Sequence, residues 1–356
     1  MPAAKRLLRI AAVLALSACA LLPSASLAAV CDVEATLTQV SPPALKLLSP
    51  WKTNALAGPE LTEFKPSQQV TREQYADYLE RYREAHALDV SLETAVDGLE
   101  KQADGSWLVR TSKGVFAAPV VVNATGYFGN AFVPELEGRR TTRIPQLHFN
   151  RYRGPETVRA TLGKNTGRVL VVGKRLSAGQ VMRELADAGF DVALSFRGKL
   201  EFAPVGPEPG ALGRAVLFRV GPKLEGLALA LGLKLPRPTM EGGRTKELVR
   251  SGQVKTFANV ARFEADAVVF EDGRRERFDL VVYATGFRPV LSHLEGLVRL
   301  DEKSGAPVLV DGGQSADAPG LYFLGLDGQS TDASRFLRGL REDAARLAAR
   351  LAPATK

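Results

Sequence analysis

Two stretches of this chain end alike. Val121-Val122-Asn123-Ala124-Thr125-Gly126 returns 160 residues later as Val281-Val282-Tyr283-Ala284-Thr285-Gly286. Each copy closes the same unit: an Asp-Gly turn signal (Asp104-Gly105, then Asp272-Gly273), a short polar stretch, and an apolar β-branched run. A strand that ends in Ala-Thr-Gly has no side-chain bulk at its carboxyl end. Open α/β sheets take up ligands there, so the backbone can come close to a dinucleotide. Two copies in matching contexts predict two dinucleotide-binding units in tandem.

The start of the chain does not follow this pattern. Glycine makes up 33 of 356 residues, so the first 57 positions would hold about five; they hold none, and the first glycine is Gly58. A protein with two such units normally opens on a strand, a G-x-G-x-x-G turn and a helix whose N-terminus receives a flavin diphosphate.

With 45% hydrophobic and 24% charged residues, the chain reads as an ordinary globular protein of about two domains. The net charge of +8 is spread along the sequence without interleaved aromatics or a nucleic-acid motif. It reads as a basic surface suited to phosphate-bearing cofactors rather than to nucleic acid. Both cysteines, Cys19 and Cys31, fall in the first 31 residues, and His86, His148 and His293 lie far apart, so no metal site is expected.

Residues 1–30 resemble a secretory signal: Lys5, Arg6 and Arg9, an apolar run from Ile10 to Leu22, and small residues ending Ser26-Leu27-Ala28. The run is too short and interrupted for a membrane span. Leu16-Ser17-Ala18-Cys19 also reads as a lipoprotein box. The alternative is a non-native start, since a shifted frame would put an Ala/Leu-rich stretch where a first flavin unit belongs. The chain is exported on the first reading and cytoplasmic on the second.

Further along, Thr71 and Gln74 form a capping-box pattern that opens a helix from Arg72 to Ala87, with Tyr75, Tyr78, Leu79 and Tyr82 on one face. A β-rich stretch runs from Val90 to Ala124. Val169-Leu170-Val171-Val172 predicts a buried parallel strand, Gly173 a turn, Ser177 to Ala188 an amphipathic helix, and Asp191 to Phe196 the next strand. Residues 202–245, with an apolar island at Leu224 to Leu235, read as an excursion or lid. Hairpin strands follow from Val254 to Phe270, then a strand from Leu321 to Gly325 and a closing helix from Ser334 to Leu351.

In this order and spacing the landmarks resemble the flavin-containing monooxygenases, particularly the bacterial branch similar to the plant indole-pyruvate monooxygenases and cation-efflux oxidoreductases. They are Ser49-Pro50-Trp51, Tyr78-Leu79 with Tyr82, Ala124-Thr125-Gly126-Tyr127, Pro134-Glu135-Leu136-x-Gly138, and His148 with Tyr152. Val171-Val172-Gly173 with Ser177-Ala178, Ala284-Thr285-Gly286-Phe287-x-Pro289, Pro319-Gly320-Leu321-Tyr322-Phe323-x-Gly325, and Leu337-Arg338-Gly339 complete the set. The resemblance covers roughly Ser49 to Leu351. It implies an α/β fold of two Rossmann-like domains, a discontinuous FAD-type domain over 46–160 and 277–356 whose first βαβ unit is missing or degenerate, and an NAD(P)-binding domain over 165–276.

The resemblance also implies an activity. NADPH reduces FAD, and reduced flavin with O2 oxygenates a small soft nucleophile or carbonyl substrate. Cofactor contacts are expected at Ala124, Thr125 and Gly126; at Gly173, Lys174, Arg175, Ser177, Ala178, Ser195 and Arg197; at Thr285 and Gly286; and at Gly325, Asp327 and Leu337. Arg197, just past the second strand with Ser195, is suited to a 2′-phosphate and so favours NADPH over NADH.

Three departures bear on this. The first glycine fingerprint is missing, along with the acidic residue that would follow its second strand. In the second, G-x-G-x-x-G reads Gly173, Arg175, Ala178. The F-x-G-x-x-x-H pattern reads Thr142-Arg143-Ile144-Pro145-Gln146-Leu147-His148, so only its histidine survives. Two other readings therefore stay open: a non-catalytic remnant or binding protein without FAD, and an NAD(P)H-dependent flavin reductase.

Overall fold

A computed structural model describes residues 29–30, 51, 55–56, 64–128, 130–202, 240–302, 304–331 and 333–351. The chain divides into two compact units, one holding Pro43–Asn130 and Phe287–Lys356, the other Ala131–Gly286. The signal read in residues 1–30 is not borne out, and it lies outside the described residues apart from Ala29–Val30. The apolar island at 224–235 also lies outside them.

In the first unit β1 (Ala29–Val30) pairs in parallel with β2 (Val90–Ser91), and α1 (Arg72–Ala85) falls between them in sequence. α1 opens on the capping box the sequence predicts. The Thr71 hydroxyl accepts from the Gln74 N–H at 3.2 Å, and the Gln74 side chain accepts from the Thr71 N–H at 2.9 Å. The helix stops two residues early, and Ala87 turns to φ +47. Its apolar face carries Tyr75, Tyr78, Leu79 and Tyr82 into a cluster with Trp51, whose ring meets Tyr78 edge-on at 4.5 Å.

Strands β3 (Val96–Lys101), β4 (Trp107–Thr111) and β5 (Gly114–Ala118) form an antiparallel meander, and β6 (Val121–Asn123) leads into the first Ala-Thr-Gly. The β3–β4 turn is the predicted Asp-Gly: Gly105 takes φ +85, and the Asp104 carboxylate accepts from the Ser106 N–H at 2.8 Å. β7 (Asn130–Ala131) lies at the crossing into the second unit.

The second unit is built on a five-stranded sheet. It comprises β8 (Gln146–His148), α2 (Pro155–Leu162), β9 (Arg168–Val172), α3 (Leu176–Asp187), β10 (Asp191–Ser195), α4 (Arg244–Arg250) and β11 (Lys255–Phe257). The meander β12 (Val260–Phe263), β13 (Val268–Phe270) and β14 (Arg275–Glu276) follows, then β15 (Leu280–Tyr283). The parallel order is β11-β10-β9-β15-β8.

Both faces of this sheet are covered, which is why its central strands read as continuous apolar runs. Val169 and Val171 of β9 pack with Val181, Met182 and Leu185 of α3, while Leu170 and Val172 face Phe257, Phe263 and Phe270. Leu170, Val171 and Met182 are fully buried, and each such side chain contributes about 1.5–3 kcal/mol on leaving water.

The chain then returns to the first unit with β16 (Phe287–Arg288), β17 (Leu309–Val310), β18 (Gln314–Ser315), β19 (Leu321–Phe323) and α5 (Leu337–Leu351). Here the sheet order is β17-β18-β19-β6, and β19 runs parallel to β6 with Leu321 opposite Val121. The closing helix starts at Leu337, three residues later than the sequence predicts. Ser334 belongs to a tight turn in which its hydroxyl accepts from the Ser330 and Thr331 N–H groups, and Gly339 lies against Ala333 so closely that a β-carbon would overlap it. Among the described residues no helix is long and apolar enough to cross a membrane.

Candidate functional site

The site residues expected in the second unit gather at the carboxyl ends of β9 and β10. Gly173 ends β9 with φ +148, and its N–H donates to the Ser195 carbonyl at 2.9 Å. A β-carbon on Gly173 would overlap the carbonyl oxygen of Ala284, in the second Ala-Thr-Gly, and would stand 3.3 Å from the Ala178 methyl. The small residues at these strand ends therefore press on one another. Ala178 in the third fingerprint position is fully buried beneath the turn.

α3 starts at Leu176, with Arg175 in the capping position. No side chain caps this end, and its first turn has no acidic residue. The amide donors of a first turn and the helix dipole thus present positive potential, with Ser177 half-buried on that turn. Lys174 is half-buried and Arg175 and Arg197 are exposed. None of the three has a carboxylate partner among the described residues. By contrast Arg168, Arg183, Arg244, Arg262 and Arg275 of the same unit each form an ion pair.

Ser195, expected beside Arg197 at the cofactor, is turned inward. It is fully buried, and its hydroxyl donates to the Ala258 carbonyl at 2.7 Å, fastening the end of β10 to the loop before β12. Sequence reasoning also passed over Lys199. The signal was present in Arg197-Gly198-Lys199, two cations flanking a glycine directly after a strand.

At the second strand end the Thr285 hydroxyl donates to the Phe132 carbonyl, and the Gly286 carbonyl accepts from the Phe132 N–H and from His148 Nε2, both at 3.0 Å. His148 Nδ1 accepts from the Asn150 N–H at 3.2 Å, which leaves the ring proton on Nε2. Burial holds the His148 pKa below the ordinary histidine value, although the contacts to Asn150 and Gly286 oppose the shift. With partners at both nitrogens, His148 is a fastening for the Gly286 turn.

In the first unit Gly126 turns at φ +71 beside Gly325 at φ +87, and a β-carbon on Gly325 would stand 3.5 Å from Gly126 Cα. Ala124 packs with Leu324, Leu340 and Ala344. The other expected contacts are taken up by the fold. The Thr125 hydroxyl donates to Asn123 Oδ1 at 2.8 Å, the Asp327 carboxylate is ion-paired with Arg335, and Leu337 packs on the aromatic cluster of α1.

These two sets of residues fit their expected cofactors unequally. The β9–α3 turn, with an uncapped helix end and three cations that have no carboxylate partner among the described residues, suits a nicotinamide dinucleotide phosphate, which Lys174, Arg175, Arg197 and the α3 N-terminus would hold and which supplies a hydride when bound. The first unit does not fit a flavin in the same way. Of its expected contacts, the Thr125 hydroxyl is committed to Asn123 and the Asp327 carboxylate to Arg335.

A pyridine nucleotide-disulphide oxidoreductase family model matches residues 42–205. The chain is 29% identical to an uncharacterized CzcO-like oxidoreductase of Geobacillus kaustophilus over 305 residues, covering 84% of this chain and 83% of that protein. It is 28% identical to the indole-3-pyruvate monooxygenase YUCCA8 of Oryza sativa subsp. indica over 271 residues, covering 67% and 61%. In fold it is similar to a flavin-containing monooxygenase of Stenotrophomonas maltophilia, with a TM-score of 0.69, 23% identity and coverage of 88% and 86%. It is also similar to the bacillithiol disulfide reductase of Bacillus cereus, with a TM-score of 0.66, 16% identity and coverage of 95% and 94%.

Proposed function

We infer that this chain, which is flavin-containing-monooxygenase-like in sequence and fold, binds NADPH through its second unit as an oxidoreductase of that kind. One observation carries the reading: Lys174, Arg175 and Arg197 stand at the carboxyl ends of β9 and β10 without carboxylate partners among the described residues, beside an α3 N-terminus that no side chain caps. An uncompensated positive edge of this kind favours a ligand with several phosphate charges.

The two cofactors that the family implies are separable in this chain. Oxygenation of a small soft nucleophile or a carbonyl compound by O2 follows if a flavin is held. The commitments of Thr125 to Asn123 and of Asp327 to Arg335 favour the second reading, a nucleotide-binding protein of the family without stoichiometric flavin.

Two measurements on the purified full chain test this. Its visible spectrum is expected to lack a stoichiometric flavin band, and calorimetric titration is expected to give tighter binding of NADPH than of NADH. A bound flavin would overturn the second reading and make substrate-linked O2 incorporation the next assay. Equal affinity for the two nucleotides, or none for either, would overturn the NADPH assignment.

A further inference from the structure

Lys174 follows Gly173 in the turn between β9 and α3, where a basic side chain would be expected to serve the diphosphate at the helix end. Its ammonium group lies elsewhere. Lys174 Nζ stands 3.8 Å from the point a β-carbon on Gly198 would occupy, so the side chain reaches from the turn after the first strand to the turn after the second. Gly198 sits there at φ +69, between the exposed cations Arg197 and Lys199. None of Lys174, Arg197 and Lys199 has a carboxylate partner among the described residues.

Lys174 Nζ thus adds a third positive charge to a turn whose glycine is flanked in sequence by two exposed cations, and among the described residues no carboxylate pairs with any of them. The relieving ligand is a compact multivalent anion. A phosphate monoester carries nearly two charges and three acceptor oxygens, more than either phosphoryl group of a diphosphate offers at one point. Lacking a β-carbon, Gly198 leaves room for such a group to approach the backbone between the flanking cations.

We propose that Lys174 is a specificity-determining residue that closes on the 2′-phosphate of NADPH together with Arg197, and does not serve the diphosphate. This rests on the NADPH reading above and goes beyond it by moving Lys174 from one phosphate to another and by making nucleotide discrimination a property of two strand ends.

The test is calorimetry on the full chain and its variants with three probes: NADPH, NADH and adenosine 2′,5′-bisphosphate. Lys174→Met is expected to weaken NADPH and the bisphosphate roughly ten- to a hundredfold, the range for a lost charge-assisted contact, and to leave NADH within about twofold. Lys174→Arg should retain most of the affinity. Arg197→Ala should act on the same two probes, and the double variant should lose less than the product of the single effects because the two cations share one anion. Equal weakening of NADPH and NADH in Lys174→Met would return Lys174 to the diphosphate and overturn the proposal while leaving the NADPH reading intact. Unchanged affinity for all three probes in Lys174→Met would overturn it in the same way. Failure of the unaltered chain to bind either NADPH or the bisphosphate would remove the NADPH reading, and the proposal with it.

Discussion

At Gly126 and at Gly286 the chain makes the same turn from the same Ala-Thr-Gly, with φ +71 and φ +88, but what surrounds the two turns differs at every position. β15, which leads to Gly286, is paired in parallel on both edges, and all four of its residues are buried. β6, which leads to Gly126, pairs with β19, and its two valines are half-buried. The second turn is fastened by groups distant in sequence, Phe132 and His148. The first is fastened largely by its own preceding residue: Asn123 Oδ1 accepts from both the N–H and the hydroxyl of Thr125.

A histidine attends each turn, in opposite tautomers. The Asn123 oxygen is occupied by the Thr125 N–H, so its amide nitrogen faces His293 at 2.7 Å, and His293 Nε2 accepts. At the other turn His148 Nε2 donates to Gly286. The repeated phrase therefore specifies a backbone shape, and the residues around it decide what holds that shape. Tyr283 and Asn123 occupy the same place in the two phrases. The first reaches across to Gln146 at 2.8 Å, and the second folds back on Thr125.

The largest expected contrast lies in the glycine that faces each turn from the neighbouring strand. Gly173→Ala would drive a β-carbon into the Ala284 carbonyl, a backbone atom directly after a strand paired on both sides, and is expected to cost about 3 kcal/mol or more. Gly325→Ala meets only ordinary contacts at 3.5 Å, so its cost reduces to the left-handed backbone, about 1–2 kcal/mol. Urea denaturation of both variants measures the difference. Equal losses would mean that the two strand ends are equally crowded.

Next in size is the exchange between the two polar residues. Asn123→Ala would leave the Thr125 N–H without its acceptor in a largely buried place, at about 1–3 kcal/mol. Tyr283→Phe loses one hydroxyl contact, at about 1 kcal/mol, because Gln146 keeps its bond to the Arg139 carbonyl. The reverse order in thermal or urea unfolding would show that the first turn does not depend on its own asparagine.

Local rules carried the parts of this fold that could be read in advance. The capping box of α1, the Asp-Gly turns and the apolar run of β9 each depend on residues a few positions apart, so their physics is written in the order of the chain. The strand-end side chains were not legible in the same way. Ser195 is spent on Ala258, 63 residues away, and the requirement for glycine at 173 comes from Ala284, not from a ligand alone. A sequence shows that a strand ends in small residues. It does not show whether the space is filled by a cofactor or by the next strand.

The smallest expected effect concerns acid, and it separates the second turn from the rest of the molecule through His148. Burial lowers its pKa, so the folded protein binds this proton less readily than the unfolded chain, whose histidines titrate near 6.5. Above that pH neither state is protonated, and the contacts to Gly286 and Asn150 contribute in full. As pH falls below about 6.5 the unfolded state takes up the proton first, and stability is lost progressively until the folded histidine is protonated as well. Protonation also converts Nδ1 from acceptor to donor and so removes the acceptor of the Asn150 N–H. In urea denaturation at pH 7.5, 6.5 and 5.5, the unaltered chain is therefore expected to lose stability more steeply than His148→Gln, so that the gap between the two narrows toward acid. A gap that stays constant across this range would show that the Gly286 turn does not feel the protonation of His148, and that the acid response lies elsewhere in the chain.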